Sequence, residues 1–186
     1  NIYWEKRDRL IISKPHGAVS LYPILADLSF FNKSELKGVG QKGSILGGIP
    51  DTTVPGFETI NGALGHGLGV GCGVALALKK KNSDSKVFVL MGDGELNEGA
   101  VWEAIMFAPQ HKLDNLKVIV DNNGLQACGY TKDILDIPWG FVKSMGVEVV
   151  KTIKGKGVSF LEDKVESHYL NLNEETYQKA ICELSC

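Results

Sequence analysis

Two kinds of hydrophobic pattern alternate along the chain. Short apolar runs occur at Leu10-Ile11-Ile12, Val87-Phe88-Val89-Leu90-Met91 and Leu116-Lys117-Val118-Ile119-Val120, and each predicts a β-strand. Between them, apolar positions recur at helical spacing. Ala18, Leu21, Tyr22, Leu25 and Leu28 follow the first run, and Val101, Ala104, Ile105 and Ala108 follow the second. Asn32-Lys33-Ser34-Glu35 offers a capping box for a further short helix, with Ser34 or Asn32 as the cap. Strand, helix and strand over 87–120 form a βαβ unit, whose strands are parallel and whose crossover is right-handed. The pattern therefore predicts an α/β domain with a mostly parallel sheet sandwiched by helices. No repeat or low-complexity tract divides residues 1–186, so the chain reads as one domain.

Glycine changes this picture locally. The chain has 22 glycines in 186 residues, and Gly62, Gly65, Gly67, Gly69, Gly71 and Gly73 crowd into the start of an otherwise apolar segment ending Val74-Ala75-Leu76-Ala77-Leu78. Each glycine costs a helix about 1 kcal/mol relative to alanine, so the density needs a reason. One is close packing of a buried helix; the other is backbone lying against a cofactor, a contact that would belong to the first few residues. The helix over 65–78 suits a subunit interface and a monomer core equally well. From Gly38 to Phe57 the Gly and Pro content predicts irregular loop. Gly38-Val39-Gly40-Gln41-Lys42-Gly43 satisfies the GxGxxG pattern but follows no apolar strand and opens no helix, so it is a false match for dinucleotide binding.

Charge and cysteine usage exclude several classes. With 20 Lys and Arg against 22 Asp and Glu, the formal charge is −2, without the basic excess of a nucleic-acid binder. No run approaches the ~18 to 20 apolar residues that span a bilayer, and Asn1-Ile2-Tyr3-Trp4-Glu5-Lys6-Arg7 does not read as a signal peptide. The expectation is a soluble, cytoplasmic protein. Cys72, Cys128, Cys182 and Cys186 fall in no CxxC spacing and read as thiols; Cys182 and Cys186 could share a helix face, but a metal site would need further ligands.

The candidate chemistry lies at the ends of the βαβ strands. The loops Gly92 to Glu95 and Asp121 to Leu125 leave the carboxyl ends of neighbouring parallel strands, where open α/β sheets bind ligands. The Asp93 carboxylate, the Asn123 amide oxygen and a carbonyl such as that of Leu125 supply three hard oxygen donors, suited to Mg²⁺ completed by phosphate oxygens and water. Gly92 and Gly94 let backbone N–H groups approach phosphates, and the helix expected to start after Glu95 would point its positive end at them. Taken singly, each loop is a common turn composition. Together on one βαβ unit they favour a metal-bound diphosphate. Asp93 is expected in a surface loop, so that Asp93→Ala would remove a ligand and leave the fold intact.

Gly92-Asp93-Gly94 with Asn122-Asn123 thirty positions further on, counted from Asp93 to Asn123, resembles the motif that binds thiamine diphosphate and Mg²⁺. Gly92-Asp93-Gly94-Glu95-Leu96-Asn97-Glu98-Gly99 with Trp102-Glu103-Ala104 resembles the transketolase family in particular. Further matches are Ser13-Lys14-Pro15-His16, Pro55-Gly56-Phe57-Glu58, Gly62-Ala63-Leu64-Gly65-His66-Gly67 and Lys154-Gly155-Lys156-Gly157-Val158-Ser159-Phe160, followed by His168. The resemblance spans nearly the whole chain, in order, and implies a thiamine diphosphate-binding fold. It implies Mg²⁺ ligands at Asp93, Asn123 and the Leu125 carbonyl. The cofactor contacts it implies lie at Gly62, Leu64, Gly92, Asp93, Gly94, Glu95, Asn123 and Leu125, with His16 and His168 near the diphosphate and the reacting centre. Glu98 matches a carboxylate near the subunit interface that couples paired sites, so the implied catalytic set is His16, His168 and Glu98. His66 and His111 receive no catalytic role. The implied activity is transfer of a two-carbon ketol unit from a ketose to an aldose.

The sequence also departs from the family. Ile49 stands where transketolases usually carry a histidine that contacts the donor sugar, which places ordinary pentose phosphates in doubt. Pro15 replaces a usual Gly, and His66 a common Gln. Val150 runs straight into Lys151 where the family inserts a helix and a strand, so a segment is absent near 150–151. The family's pyrimidine-binding half, which supplies the Glu that activates the aminopyrimidine ring, has no counterpart. The resemblance therefore implies an N-terminal subunit, inactive alone, that works on small sugars in a homodimer or heterotetramer completed by a C-terminal subunit. Two other readings stay open: another thiamine diphosphate enzyme, of the 2-oxo-acid dehydrogenase or deoxyxylulose phosphate synthase type, and a non-catalytic cofactor- or partner-binding subunit.

Overall fold

The computed structural model describes residues 4–60 and 62–185. Asn1 to Tyr3, Asn61 and Cys186, and with them the second half of the Cys182–Cys186 pair, lie outside the described residues.

The three predicted strands are β1 (Arg9–Ile12), β2 (Val87–Gly92) and β3 (Leu116–Asn122), and a fourth comes later in the chain. The helices are α1 (Leu21–Asp27), α2 (His66–Lys80), α3 (Gly99–Gln110), the short α4 (Thr131–Ile134), α5 (Trp139–Ser144) and α6 (Glu174–Leu184). A two-stranded antiparallel ribbon, β4 (Leu125–Gln126) and β5 (Gly129–Tyr130), follows β3, and β6 (Glu148–Lys151) completes the main sheet. Sheet order is β1-β2-β3-β6, every neighbour parallel, with Val89 opposite Ile11 and Val118 and with Asp121 opposite Gly92 and Val150.

The order advances steadily across the sheet, so right-handed crossovers put α2, α3 and α5 on one face. Packing agrees with this. Leu68, Cys72 and Ala75 of α2, Val101, Ala104 and Ile105 of α3 and Val142 of α5 share one core with Ile11, Val87, Val89, Met91 and Val120. The alternation inside β2 follows: Val87, Val89 and Met91 are fully buried, while Phe88 and Leu90 on the other face are partly exposed. On that second face α1 flanks the edge strand, sharing a groove with Leu10 and Ile12.

One local expectation changes and one alternative is resolved. After Glu95 comes a 3₁₀ turn over Gly94–Asn97, and α3 starts only at Gly99 with Glu98 as its N-cap residue. The short turn lets Leu96 bury in the core and accept the Trp102 indole N–H at 2.8 Å. Among Asn32 and Ser34 the cap is Asn32, whose side chain accepts from the Ser34 N–H at 2.9 Å. The loop over 38–57 is irregular but anchored: Leu46 and Val54 are buried beside Tyr22, whose hydroxyl donates to the Gly47 carbonyl at 2.7 Å. Gly40 and Gly43 turn at φ 73° and 85° with no helix after them. β6 crosses position 150–151 as continuous strand.

Candidate functional site

The four carboxyl ends of the main sheet open onto one cleft of about 790 Å³. β1 delivers Lys14 and, through the following 3₁₀ turn, His16; β2 delivers Gly92, Asp93, Gly94 and Glu95; β3 delivers Asp121, Asn123 and Leu125. β6 delivers Thr152 and Lys154, and a 3₁₀ turn at Val165–His168 brings in His168 and Tyr169. Parallel strands must end on the same edge, and that is why segments distant in sequence converge there.

Asp93 is 2% exposed and accepts N–H groups from Gly94 at 2.8 Å and from Gly124 at 2.6 Å. It is therefore no surface-loop residue, and its replacement would orphan two backbone donors. Burial raises the pKa of its carboxyl in spite of those two donors. Asn123 Oδ1 accepts from the Leu125 N–H at 2.9 Å, which closes the turn between β3 and β4. Gly94 has a packing reason as well: a Cβ there would lie 2.8 Å from Gln126 Cγ.

Glu95 holds the floor of the cleft together. It is 1% exposed, and its carboxylate accepts the Ser13 hydroxyl, the Gly65 N–H at 3.0 Å and the Gly92 N–H at 3.3 Å. Burial raises its pKa too. Gly65 takes φ 85° to start α2 and lies against Glu98, whose Cβ a Gly65 side chain would meet at 2.6 Å.

The opposite wall is cationic. Lys14 pairs with Asp121, and Asp121 also accepts the Thr152 hydroxyl. Burial would push the Asp121 pKa up, but Lys14 and Thr152 outweigh it and the carboxyl is held low. Lys154 Nζ lies 2.9 Å from His168 Nδ1, and the His16 and His168 rings stand 5.2 Å apart, tilted by 40°. Both histidines titrate below the usual 6.5: His16 through burial, then Lys14 and Lys154, and His168 through burial, then Lys154 and His16.

The residues present fit a metal-bound diphosphate. A buried carboxylate, a side-chain amide oxygen and the β4 backbone stand at one side, and two ammonium groups with two imidazoles face them. Hard oxygen donors take a divalent cation, while ammonium and imidazole N–H groups take phosphate oxygens.

Of the residues singled out from sequence, His16, Leu64, Gly92, Asp93, Gly94, Glu95, Asn123, Leu125 and His168 all line this cleft. Gly62 and Glu98 do not: both are exposed, and Glu98 sits at the start of α3. His66 Nδ1 lies 3.2 Å from the Leu64 carbonyl and His111 packs on Phe107, both outside the cleft. Sequence reasoning gave no role to Lys14, Asp121, Thr152 or Lys154. Their shared signal is position, each lying at or just beyond the carboxyl end of a strand.

Comparison with known proteins gives consistent matches. Residues 1–173 match the family described as transketolase, thiamine diphosphate binding domain. One of the subunits of the apulose-4-phosphate transketolase of Phocaeicola vulgatus is 37% identical over 211 residues, covering 97% of this chain and 75% of that protein. The 6-deoxy-6-sulfo-D-fructose transketolase subunit SqwG of a Clostridium species is 35% identical, covering 97% and 78%. A crystal structure of Campylobacter jejuni transketolase superposes with TM-score 0.89 at 28% identity, over 100% of this chain and 35% of that one. The chain thus spans about a third of that full-length transketolase. The alignment of 211 positions also exceeds the 186 residues of the chain, so the Phocaeicola protein carries residues without a counterpart here.

Proposed function

The chain belongs to the transketolase family through its thiamine diphosphate binding domain, and from that premise we propose that it is the diphosphate-binding subunit of a split ketol-transferring enzyme. The observation that carries the reading is the convergence of Asp93, Asn123 and Leu125 with His16, His168, Lys14 and Lys154 on one strand edge. In this reading Asp93, Asn123 and the Leu125 carbonyl hold Mg²⁺, with the diphosphate between them and the histidine wall. When bound, thiamine diphosphate supplies an electron sink for carbon–carbon cleavage beside a carbonyl. The chain's own part is positioning. Glu95 fixes the Gly92 turn and the start of α2 against Ser13, so the donors are set before a ligand arrives. His16 and His168 offer N–H groups to phosphate or sugar oxygens, and Glu98, outside the cleft, is left for a subunit contact.

Two relatives named for unusual sugars support an unusual donor here, a ketose carrying a phosphate or sulfonate. Ile49, half exposed on the loop that Tyr22 anchors, supports the same choice, because an isoleucine offers a hydroxyl no hydrogen bond. In this reading the residues that the Phocaeicola relative carries and this chain lacks fall at 150–151, where Val150 runs straight into Lys151.

Calorimetric titration of thiamine diphosphate, with and without Mg²⁺, into the chain alone and into the chain with a transketolase C-terminal subunit tests the proposal. Tight, Mg²⁺-dependent binding that needs both subunits is expected. No binding in either sample would overturn it.

A further inference from the structure

We propose that Lys154 is a positioning residue for His168: it donates to Nδ1, fixes the neutral ring with its proton on Nε2, and makes His168 a hydrogen-bond donor to an anion or hydroxyl in the cleft rather than a releasable acid. An ammonium has three N–H donors and no lone pair, so the ring nitrogen 2.9 Å from Lys154 Nζ must accept. Protonating that nitrogen would remove the acceptor and set two cations at hydrogen-bond distance.

The surrounding charges hold both partners in these states. Burial and the Lys154 ammonium disfavour a charged His168 ring, and His16 adds to this at a pH where it is itself protonated. The charges of Asp93 and Asp121 favour the ammonium form of Lys154 against the effects of burial and Lys14. Tyr169 packs edge-on against the His168 ring at 4.8 Å, limiting its rotation. The backbone is tied as well, since the Asp163 N–H donates to the Lys154 carbonyl at 2.9 Å and closes the loop between the lysine and the histidine turn. A hydrogen bond at one ring nitrogen sets which tautomer the other presents.

What His168 donates to rests on the proposed function; the tautomer does not. The test therefore uses the whole chain without cofactor. Long-range ¹H–¹⁵N correlation spectra, recorded above pH 6.5 and assigned with a His168→Gln variant, read each imidazole nitrogen directly. The expected wild-type spectrum has the proton on Nε2 and an unprotonated Nδ1 whose shift is displaced by an accepted hydrogen bond. In Lys154→Met the Nδ1 shift moves to the position of a free acceptor. A wild-type proton on Nδ1, or a shift indifferent to Lys154→Met, overturns the assignment. The wild-type spectrum alone decides if the variant fails to fold, and a failed cofactor titration would leave the tautomer result standing.

Discussion

Glu95 shows how single residues carry this site. Its carboxylate ties Ser13, Gly65 and Gly92 together in the core, so Glu95→Ala would leave three donors without an acceptor. The expected loss is about 2 to 4 kcal/mol, read as a lower denaturation midpoint, whereas Glu95→Gln keeps an acceptor oxygen and loses less. At Asp93 the balance differs. Asp93→Ala orphans the Gly94 and Gly124 N–H groups, one donor fewer than at Glu95, so a loss of about 1 to 3 kcal/mol is expected together with loss of Mg²⁺-dependent cofactor binding; a melting curve and calorimetry report the two effects separately. The histidines give a pH dependence. Because His16 and His168 titrate below 6.5 when folded, the unfolded chain binds more protons between the folded values and 6.5. Their contribution is complete above 6.5 and is lost as pH falls through the folded values. His168→Gln should therefore shrink the drop in melting temperature between a buffer above 6.5 and one below it. Asp93 and Asn123 were legible in sequence because each follows an apolar strand. Lys14 and Lys154 lie within matched motifs yet read in sequence as ordinary charges, since only the sheet reveals that they face the same cleft.

At the scale of elements, α2 separates its glycines by face. A Cβ on Gly67 would lie 2.4 Å from Ser13 Oγ and 2.8 Å from its Cα, and one on Gly71 would lie 2.5 Å from Val89 Cγ2. Gly69 and Gly73 are exposed and meet nothing within 4 Å. Gly67→Ala should destabilise the chain by about 1 to 3 kcal/mol, while Gly69→Ala and Gly73→Ala should each stabilise it by up to about 1 kcal/mol. Equal effects on both faces in chemical denaturation would refute the packing account. The two sequence explanations for the glycines thus separate: close packing accounts for Gly67 and Gly71 but not for Gly69 and Gly73, and among the described residues of the segment it is Leu64, just before α2, that reaches the cleft. β1, β2 and β3 were legible as apolar runs bounded by turn residues. β6 was not, because Glu148-Val149-Val150-Lys151 is short and polar at both ends, and its strand state comes from pairing with β3. The cap of α6 went unread although Asn173 and Thr176 form a full capping box.

At the scale of the whole molecule, the cleft has donors in abundance but no spare carboxylate. Among the described residues the carboxylates that line it are Asp93, Glu95 and Asp121. Asp93 is engaged by two backbone N–H groups, Glu95 by Ser13, Gly65 and Gly92, and Asp121 by Lys14 and Thr152. Each is needed where it is, so none is available to activate the aminopyrimidine end of the cofactor. In the proposed reading that carboxylate comes from the C-terminal subunit. The prediction is that this chain alone gives no ketol transfer at any cofactor concentration, and that adding a C-terminal subunit restores it. Replacing the activating glutamate of that second chain by glutamine should abolish turnover yet leave Mg²⁺-dependent cofactor binding by the pair in place. A coupled assay for the aldose released from a ketose donor measures the first effect, and calorimetry the second. Turnover by the isolated chain would mean that Asp93, Glu95 or Asp121 leaves its present partners during the reaction, and the division of labour between the two subunits would have to be redrawn.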